Sequence, residues 1–388
     1  MSVLNIEKPA FMAEEEIVIF EDALGKFFDA HAPESRVAKW REDGVVERAM
    51  WTEAGEAGLL CLSTPEAYGG VGGDYRHEVV FMEQLAKKGV DGFGASLHNA
   101  IVAPYIFHYG SEEQKKKWLP RMATGELIGA IAMTEPGAGS DLQGVKTTAR
   151  KDGNHYVISG QKTFITNGQT ANLIIVVAKT DPSQGAKGTS LFIVDATLPG
   201  FARGKKIEKM GQHTSDTAEL FFQDVRLPAS SLLGELNKGF VIMMTELPRE
   251  RLGIAAQAVA AAEGALDITV DYVLERKAFG QTIASFQNTR FTLAEVKTEI
   301  AINRAFYEKC ADAYTEQRLT AEDAAMLKYA STEMQCKTVD QCLQLFGGYG
   351  YTTEYPISRF YTDARIQRIY GGTSEIMREL VARSILGR

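Results

Sequence analysis

The fold is organised around a glycine-rich stretch, Met133-Thr-Glu-Pro-Gly-Ala-Gly-Ser-Asp141. Its small residues let backbone N–H groups approach a planar or phosphorylated ligand, and a structural turn would use the same residues. After this stretch the chain consists of short β-branched and aromatic runs, such as Leu173 to Ala178, separated by turn signals such as Asn167-Gly168. Runs at this spacing predict a β-barrel or sandwich, which we place at residues 127–235.

Helical patterns flank the β segment on both sides. Before it, apolar residues recur at helical spacing between Ala13 and His31, and Ser111 with Gln114 forms a capping box. After it, long helical segments run from Gly253 to Arg276, from Asn288 to Gln317 and from Thr320 to Phe346. We therefore predict a mainly α protein with a middle β domain, divided into a helical domain (1–126), the β domain (127–235) and a C-terminal helical bundle (236–388).

Composition is that of an ordinary soluble globular protein, with 388 residues, 45% of them hydrophobic and 24% charged. Acidic residues outnumber basic ones by 50 to 42, and the resulting net charge of −8 disfavours a general affinity for nucleic acid or an anionic membrane. Neither a targeting segment nor a membrane span is recognisable, and the cysteines form no Cys-x-x-Cys pair. These features predict a cytoplasmic protein, and a mature organellar matrix protein would share them.

Signatures of several other chemistries are missing from the sequence. It contains neither a Walker loop nor a Rossmann Gly-x-Gly-x-x-Gly after a strand, and its six histidines form no metal-ligand cluster. We therefore predict no metal site. A second glycine-rich segment, Tyr68-Gly-Gly-Val-Gly-Gly73, is either a connector or a ligand contact.

Five motifs occur in a fixed order along the chain. They are the glycine-rich stretch, Phe164-Ile-Thr-Asn-Gly168, Arg276-Lys-Ala-Phe-Gly280, Gln344-Leu-Phe-Gly-Gly348 and Tyr370-Gly-Gly-Thr-Ser-Glu375. In this order and spacing the sequence closely resembles the acyl-CoA dehydrogenase family of flavoproteins over essentially its whole length. The resemblance implies a C-terminal four-helix bundle, FAD as cofactor, an acyl-CoA substrate of fatty-acid β-oxidation, a homotetramer, and electron-transfer flavoprotein as the electron acceptor.

The resemblance also implies which residues bind FAD. Those expected along the flavin and acyl chain or at the isoalloxazine edge are Met133, Thr134, Gly139, Ser140, Phe164, Ile165 and Thr166. Those expected to reach the FAD of a facing subunit or its adenine-side pyrophosphate are Arg276, Phe279, Gln287, Gln344, Gly347 and Gly348. Thr373 and Glu375 complete the implied contacts.

The implied reaction needs a base, and the usual family position lacks one. A base removes the α proton of the thioester while the flavin takes the β hydrogen as hydride, and most members carry a glutamate where this chain has Gly371. A branch resembling long-chain acyl-CoA and isovaleryl-CoA dehydrogenases instead carries it in a Glu-Arg-Leu sequence on a bundle helix. This chain has Glu250-Arg251-Leu252 there, so the resemblance implies Glu250 as base.

The same resemblance implies the substrate contacts. The backbone N–H of Gly371 is expected to hold the thioester oxygen, and the other implied contacts are Ser140, Arg251, Gly372 and Arg383.

Several alternatives stay open on the sequence. Burial would raise the pKa of Glu250, whereas a helix starting at Pro248 would favour the ionised carboxylate, and a solvated helix residue is the structural interpretation of Glu250. Medium-to-long acyl-CoA is the first expectation for the substrate and isovaleryl-CoA or another branched thioester the second. An acyl-CoA oxidase and a non-catalytic, DNA-associated flavin-binding protein are the other candidate functions.

Overall fold

The computed structural model describes residues 4, 7–90 and 92–387. Its N-terminal part is helical: α1 (Glu15–His31), α2 (Glu34–Asp43), α3 (Arg48–Glu56), α4 (Tyr75–Lys87), α5 (Ala95–Leu97), α6 (Ala103–Tyr109) and α7 (Glu112–Ala123). A π-helical turn over His98–Val102 joins α5 to α6. The predicted capping box is confirmed, because Gln114 N–H donates to Ser111 Oγ at 3.2 Å and Ser111 N–H donates to Gln114 Oε1 at 2.9 Å.

The middle part is a single mixed sheet. Its strands are β1 (Gly129–Ala132), β2 (Thr148–Asp152), β3 (His155–Thr166), β4 (Leu173–Lys179), β5 (Thr189–Asp195), β6 (Phe201–Lys206), β7 (Thr217–Pro228) and β8 (Leu232–Leu233). The hydrogen-bonded order is β6-β7-β3-β2-β4-β5-β8, and β1 pairs in parallel with β4. The predicted β domain is thus confirmed. Within the described part of the chain the end strands β6 and β8 do not pair, so hydrogen bonding does not close it into a barrel.

Strand β4 is buried on both faces. Ile174 and Val176 belong to the large core shared with the helical bundle, whereas Ile175 and Val177 belong to a second core beneath α6 and α7. This explains why β4 is continuously apolar rather than alternating. At this strand the sheet therefore packs against other elements on both of its faces.

The C-terminal part is built from long helices. They are α8 (Gly239–Glu275), α9 (Gln287–Thr315), α10 (Ala321–Phe346), α11 (Pro356–Ala364) and α12 (Ser374–Leu386), with a small hairpin of β9 (Lys277–Ala278) and β10 (Gln281–Thr282) after α8. By length and composition α8 could cross a membrane, but 78% of its most apolar window is buried inside the protein. It is the central helix of the core and packs against α4, α9 and α10.

Buried ion pairs fix α8 against the N-terminal helices. Arg249 on α8 pairs with the buried Glu78 on α4. Arg304 on α9 pairs with Glu83 on α4 and, at 2.7 Å, with Glu263 on α8. Removing one partner of such a pair strands a buried charge and costs about 3–5 kcal/mol. The position of α8, which carries the Glu-Arg-Leu sequence, is therefore set by contacts with α4 and α9.

The second glycine-rich segment is a connector in this structure. Gly72 N–H donates to Thr64 O at 3.0 Å, and a Cβ on Gly70 would lie 2.1 Å from the same oxygen. Glycine is required here for close backbone approach. No residue of the segment lines the large cavity described below.

Candidate active site

A cavity of about 530 Å³ lies where the sheet, the α5–α6 segment, α8 and the loop before α12 meet. Its wall is largely apolar. Seven residues predicted to contact the flavin or acyl chain all line it: Met133, Thr134, Gly139, Ser140, Phe164, Ile165 and Thr166. The segment around the π-helical turn contributes Ser96, Leu97, Ala100 and Ile101. A cavity of this size and lining, with few polar groups, is typical of a binding site for an organic ligand.

Buried polar contacts shape the sheet side of the cavity. Lys162 donates its Nζ hydrogens to Met133 O and to Glu135 Oε1, both at 2.9 Å, and holds the glycine-rich stretch on β3. Asn167 donates Nδ2 hydrogens to Gly129 O at 3.0 Å and ties the end of β3 to β1. Both side chains are buried and serve the local structure.

Phe164 and Gly139 leave open space at this wall. A bulge at the end of β3 gives Phe164 a φ of +58° and leaves its ring 64% exposed beside the cavity. No described atom lies within 4 Å of the place where a Cβ on Gly139 would stand. The exposed ring of Phe164 and the open space at Gly139 leave room for a flat aromatic group.

One face of α8 forms the opposite wall. Most of its cavity-lining residues recur every three or four positions, as one face of a helix requires: Phe240, Met244, Leu247, Glu250, Gly253 or Ile254, and Gln257. Arg249 and Arg251, on either side of Glu250, also line the cavity. Glu250 is the carboxylate of this helix that reaches the cavity. Glu250 is half-buried and lies on the cavity side of α8 rather than on its outer, solvated face.

Burial controls the pKa of Glu250. Desolvation raises it to about 7, opposed by a hydrogen bond from Tyr105, whose hydroxyl donates to Glu250 Oε1 at 3.0 Å. The alternative that a helix begins at Pro248 is also wrong, because α8 begins at Gly239 and carries Pro248 in its interior. The N-terminal dipole is then more than two turns away and does not depress the pKa.

Glu246, one turn earlier on α8, contrasts with Glu250. Although burial acts to raise its pKa, a hydrogen bond and charge interaction with His108 and a hydrogen bond from Tyr109 lower it. His108 Nδ1 and Tyr109 Oη each lie 2.9 Å from Glu246 Oε1. The pKa of Glu246 is therefore lowered and that of Glu250 raised, although both lie on α8. Of the two, only Glu250 is suited to exchange a proton near neutral pH.

The loop before α12 faces Glu250 across the cavity. Gly371 and Gly372 have φ values of +63° and +99° and both line the cavity. Their carbonyls are engaged by cations: Arg251 Nε donates to Gly371 O at 3.2 Å and Lys328 Nζ donates to Gly372 O at 2.7 Å. The N–H of Gly371 has no acceptor among the described residues. It is therefore available to a ligand.

The structure leaves the predicted contacts of the facing subunit outside this cavity. Gln287, Gln344, Gly347 and Gly348 are exposed, and Phe279 is 96% exposed. The Arg276 guanidinium lies 5.4 Å from the ring centre of Tyr349 at the end of α8. None of these residues lines the large cavity of its own chain.

Three further predicted residues lie on or just before α12. The Thr373 hydroxyl caps this helix by accepting from Ile376 N–H at 3.3 Å. Glu375 Oε1 accepts from Arg378 Nη2 at 2.7 Å, and both Thr373 and Glu375 line a smaller cavity of about 250 Å³. Arg383 donates to Glu379 at 2.8 Å on an exposed surface. The structure does not bring Arg383 to the large cavity.

The sequence analysis did not predict two residues that contact the site. Tyr105 is fully buried on α6, and Lys328 is fully buried on α10. Both lie within ordinary helical patterns, and neither has a sequence signal, because their roles come from partners far along the chain. The described residues contain no group of three or more side chains suited to hold a metal ion.

Comparison with known proteins shows which family this chain belongs to. Family models for the acyl-CoA dehydrogenase N-terminal, middle and C-terminal domains match residues 14–126, 130–225 and 237–386. The chain belongs to the acyl-CoA dehydrogenase family. The predicted family is confirmed, and this acyl-CoA dehydrogenase is an oxidoreductase.

Individual relatives support the same conclusion. The mitochondrial long-chain specific acyl-CoA dehydrogenase of Sus scrofa is 50% identical over 378 residues, covering 97% of this chain and 87% of the relative. The mitochondrial isovaleryl-CoA dehydrogenase of Pongo abelii is 36% identical over 387 residues, covering 99% and 92%. The crystal structure of an acyl-CoA dehydrogenase from Geobacillus kaustophilus superimposes with a TM-score of 0.94 at 46% identity, covering 97% of this chain and all of that chain. The predicted similarity to the long-chain and isovaleryl-CoA branch is therefore confirmed.

FAD is the cofactor of this acyl-CoA dehydrogenase, as predicted. A similar structure, a glutaryl-CoA dehydrogenase from Mycobacterium smegmatis, is in complex with FADH2; it is 28% identical with a TM-score of 0.89, covering 97% of this chain and 96% of that chain. The open space at Gly139 and the exposed ring of Phe164 leave room for the flavin at this wall.

Proposed function

We propose that this acyl-CoA dehydrogenase converts a medium-to-long-chain acyl-CoA into its trans-2-enoyl-CoA, with Glu250 as the base and electron-transfer flavoprotein as the electron acceptor. The observation that carries the proposal is the position of Glu250. Glu250 lines the same cavity as Gly371, which offers no side chain, and its carboxyl group has a pKa of about 7. FAD, when bound, accepts the β hydrogen as hydride.

The protein's own residues supply the proton transfer and the charge stabilisation. Tyr105 fixes one oxygen of Glu250, so the carboxylate is oriented before substrate arrives. Glu250 takes the α proton, and the electron pair moves onto the thioester oxygen. The free N–H of Gly371 is placed to donate a hydrogen bond to that oxygen as its negative charge develops.

Tyr105→Phe should shift the pH dependence of the reaction to higher pH. The hydrogen bond from Tyr105 favours the ionised carboxylate, so its removal raises the pKa of Glu250 above its present value of about 7. We expect the midpoint of the rate of flavin bleaching by acyl-CoA to move up by about one pH unit, with the largest loss of rate below pH 7. Stopped-flow absorbance across pH measures this.

Tyr109→Phe is the matched control for Tyr105→Phe. It removes the same hydroxyl from the same helix, but that hydroxyl bonds Glu246 rather than Glu250. Its midpoint should stay closer to that of the wild type. Equal midpoints for wild type and Tyr105→Phe would contradict the assigned role of Tyr105.

The apolar wall of the cavity supports a long acyl chain. Gly253 and Met82 both line this wall, and a Cβ on Gly253 would lie 3.1 Å from Met82 Cε, so a larger residue here would crowd the wall. We expect kcat/KM to rise with chain length through the medium and long straight-chain acyl-CoAs and to be lower for isovaleryl-CoA. A turnover series of increasing chain length, with electron-transfer flavoprotein as acceptor, tests this. A maximum at isovaleryl-CoA would favour the branched-chain alternative.

We further propose a homotetramer in which the end of α8 completes the FAD site of a facing subunit. The exposed apolar side chains near this end support such an interface: Phe279 and Phe291 are 96% and 60% exposed. An exposed apolar surface of this kind is typical of a protein interface.

Arg276→Ala should therefore release FAD more readily and weaken the tetramer. The guanidinium would lose its charge-assisted contact with the cofactor's pyrophosphate. Flavin retained after dilution and desalting, together with the mass from light scattering, measures both effects. Arg318→Ala, which removes an exposed arginine paired with Glu316, is the control and should retain flavin. Equal retention by both variants would contradict the role of Arg276.

A further inference from the structure

Two buried cations lie behind the loop formed by Gly371 and Gly372. Lys328 is 0% exposed and Arg251 is 6% exposed, and each donates to one carbonyl of this loop. Among the described residues neither forms an ion pair with a carboxylate. By contrast, the buried Lys162 is paired with a carboxylate, Glu135, at 2.9 Å.

Burying two neighbouring positive charges without a nearby paired anion costs free energy. Removing a charge from water is costly unless an opposite charge compensates it. Burial, followed by repulsion from Arg251, lowers the pKa of Lys328 to about 8, so Lys328 stays largely protonated at neutral pH. A negative charge arriving at the loop would offset the cost of both cations.

The proposed reaction brings such a charge to this place. When the α C–H bond breaks, its proton goes to Glu250 and its electron pair is delocalised onto the thioester oxygen. One negative charge thereby moves from Glu250 toward the Gly371 N–H. The largest electrostatic influences on Lys328 come from Arg251, Glu333 and Glu375 rather than from Glu250. Lys328 instead donates to the Gly372 carbonyl, so its charge lies on the loop side of the cavity, where the enolate forms.

We propose that Lys328 is a positioning residue of the enolate site: it holds the Gly372 carbonyl and, with Arg251, keeps positive charge behind the peptide that binds the thioester oxygen. Arg251, Gly371 and Gly372 line the cavity, whereas Lys328 does not, so Lys328 acts through the loop. This inference rests on the proposed function. Its consequence is stronger binding of an enolate than of a neutral thioester.

Two CoA probes separate these effects. The first is an acyl-CoA with sulfur in place of the β carbon; its α proton is acidic, and it has no β hydrogen to give as hydride. The second is a CoA thioether of equal chain length without the carbonyl. We would measure the Kd of both probes on the FAD-loaded protein. For the β-sulfur probe we would also follow, by NMR, the rate at which its α hydrogen exchanges with D2O. The variants are Lys328→Met, Lys328→Gln and, as control, Lys87→Met, whose lysine pairs with Glu263 away from the cavity.

We expect Lys328→Met to weaken binding of the β-sulfur probe and to slow its exchange by at least about tenfold, with the Kd of the thioether unchanged. Lys328→Gln keeps a hydrogen-bond donor without the charge and should show the same loss of probe binding and exchange rate. If Lys328→Met fails to fold, Lys328→Gln alone tests the inference. Lys87→Met should match the wild type. Wild-type values for Lys328→Gln, or equal weakening of both probes, would overturn the inference.

Failure of the proposed function gives a different result. If no straight or branched acyl-CoA bleaches the wild-type flavin, the dehydrogenase proposal itself fails. If the wild type bleaches and exchanges the β-sulfur probe, and Lys328→Gln does so equally well, only the role of Lys328 is wrong.

Discussion

Glu250→Gln should lose at least about 100-fold in the rate at which acyl-CoA bleaches the flavin, while acyl-CoA still binds. Glutamine keeps the size of the side chain and can still accept the hydrogen bond from Tyr105, but it cannot take the α proton. Anaerobic stopped-flow absorbance gives the rate, and titration with the CoA thioether gives the affinity. The Gly371 N–H is unchanged in this variant, so only the proton acceptor is removed.

Glu246→Gln is the matched control for Glu250→Gln. It makes the same change one turn earlier on α8, at a buried carboxylate that bonds His108 and Tyr109 and does not line the cavity. This variant should bleach at close to the wild-type rate. If Glu250→Gln also bleached at that rate, the base would lie elsewhere and the helix-base assignment would be wrong.

Moving the carboxylate to position 371 should fail unless Ile254 is also reduced. In the Glu250→Gln background, Gly371→Glu would restore the commoner family arrangement. However, a Cβ at this position would lie 2.3 Å from Ile254 Cδ1, a clash that Ile254→Ala would remove. The φ of +63°, which side-chain-bearing residues rarely adopt, would strain both variants equally. We expect the double variant to recover no rate and the triple variant with Ile254→Ala to regain about tenfold or more.

The rate of flavin bleaching again measures the outcome. Glu250→Gln with Ile254→Ala alone is the control, because it enlarges the cavity without supplying a carboxylate. Recovery in that control would show that the added space, rather than the new base, is responsible. Full recovery in the double variant would show that Ile254 moves aside without difficulty.

The sequence by itself predicted the helical, β, helical order of the chain and pointed to Glu250 as the candidate base. Local signals were sufficient, because strands, turns and caps depend on neighbouring residues; the Ser111 capping box and the β runs are examples. The absence of a carboxylate at Gly371 and the presence of Glu250-Arg251-Leu252 are likewise facts of the chain alone. They indicated one branch of the family before any contact was known.

The tertiary structure decided the surroundings of Glu250. Proline normally interrupts a helix by removing a backbone hydrogen bond, yet α8 continues through Pro248 because its packing against α4 and α10 stabilises it. Tyr105 reaches Glu250 across 145 residues of chain, and Lys328 reaches Gly372 across 44. The direction of a pKa shift and the space available at position 371 depend on such distant neighbours, whose approach is set by packing rather than by local sequence.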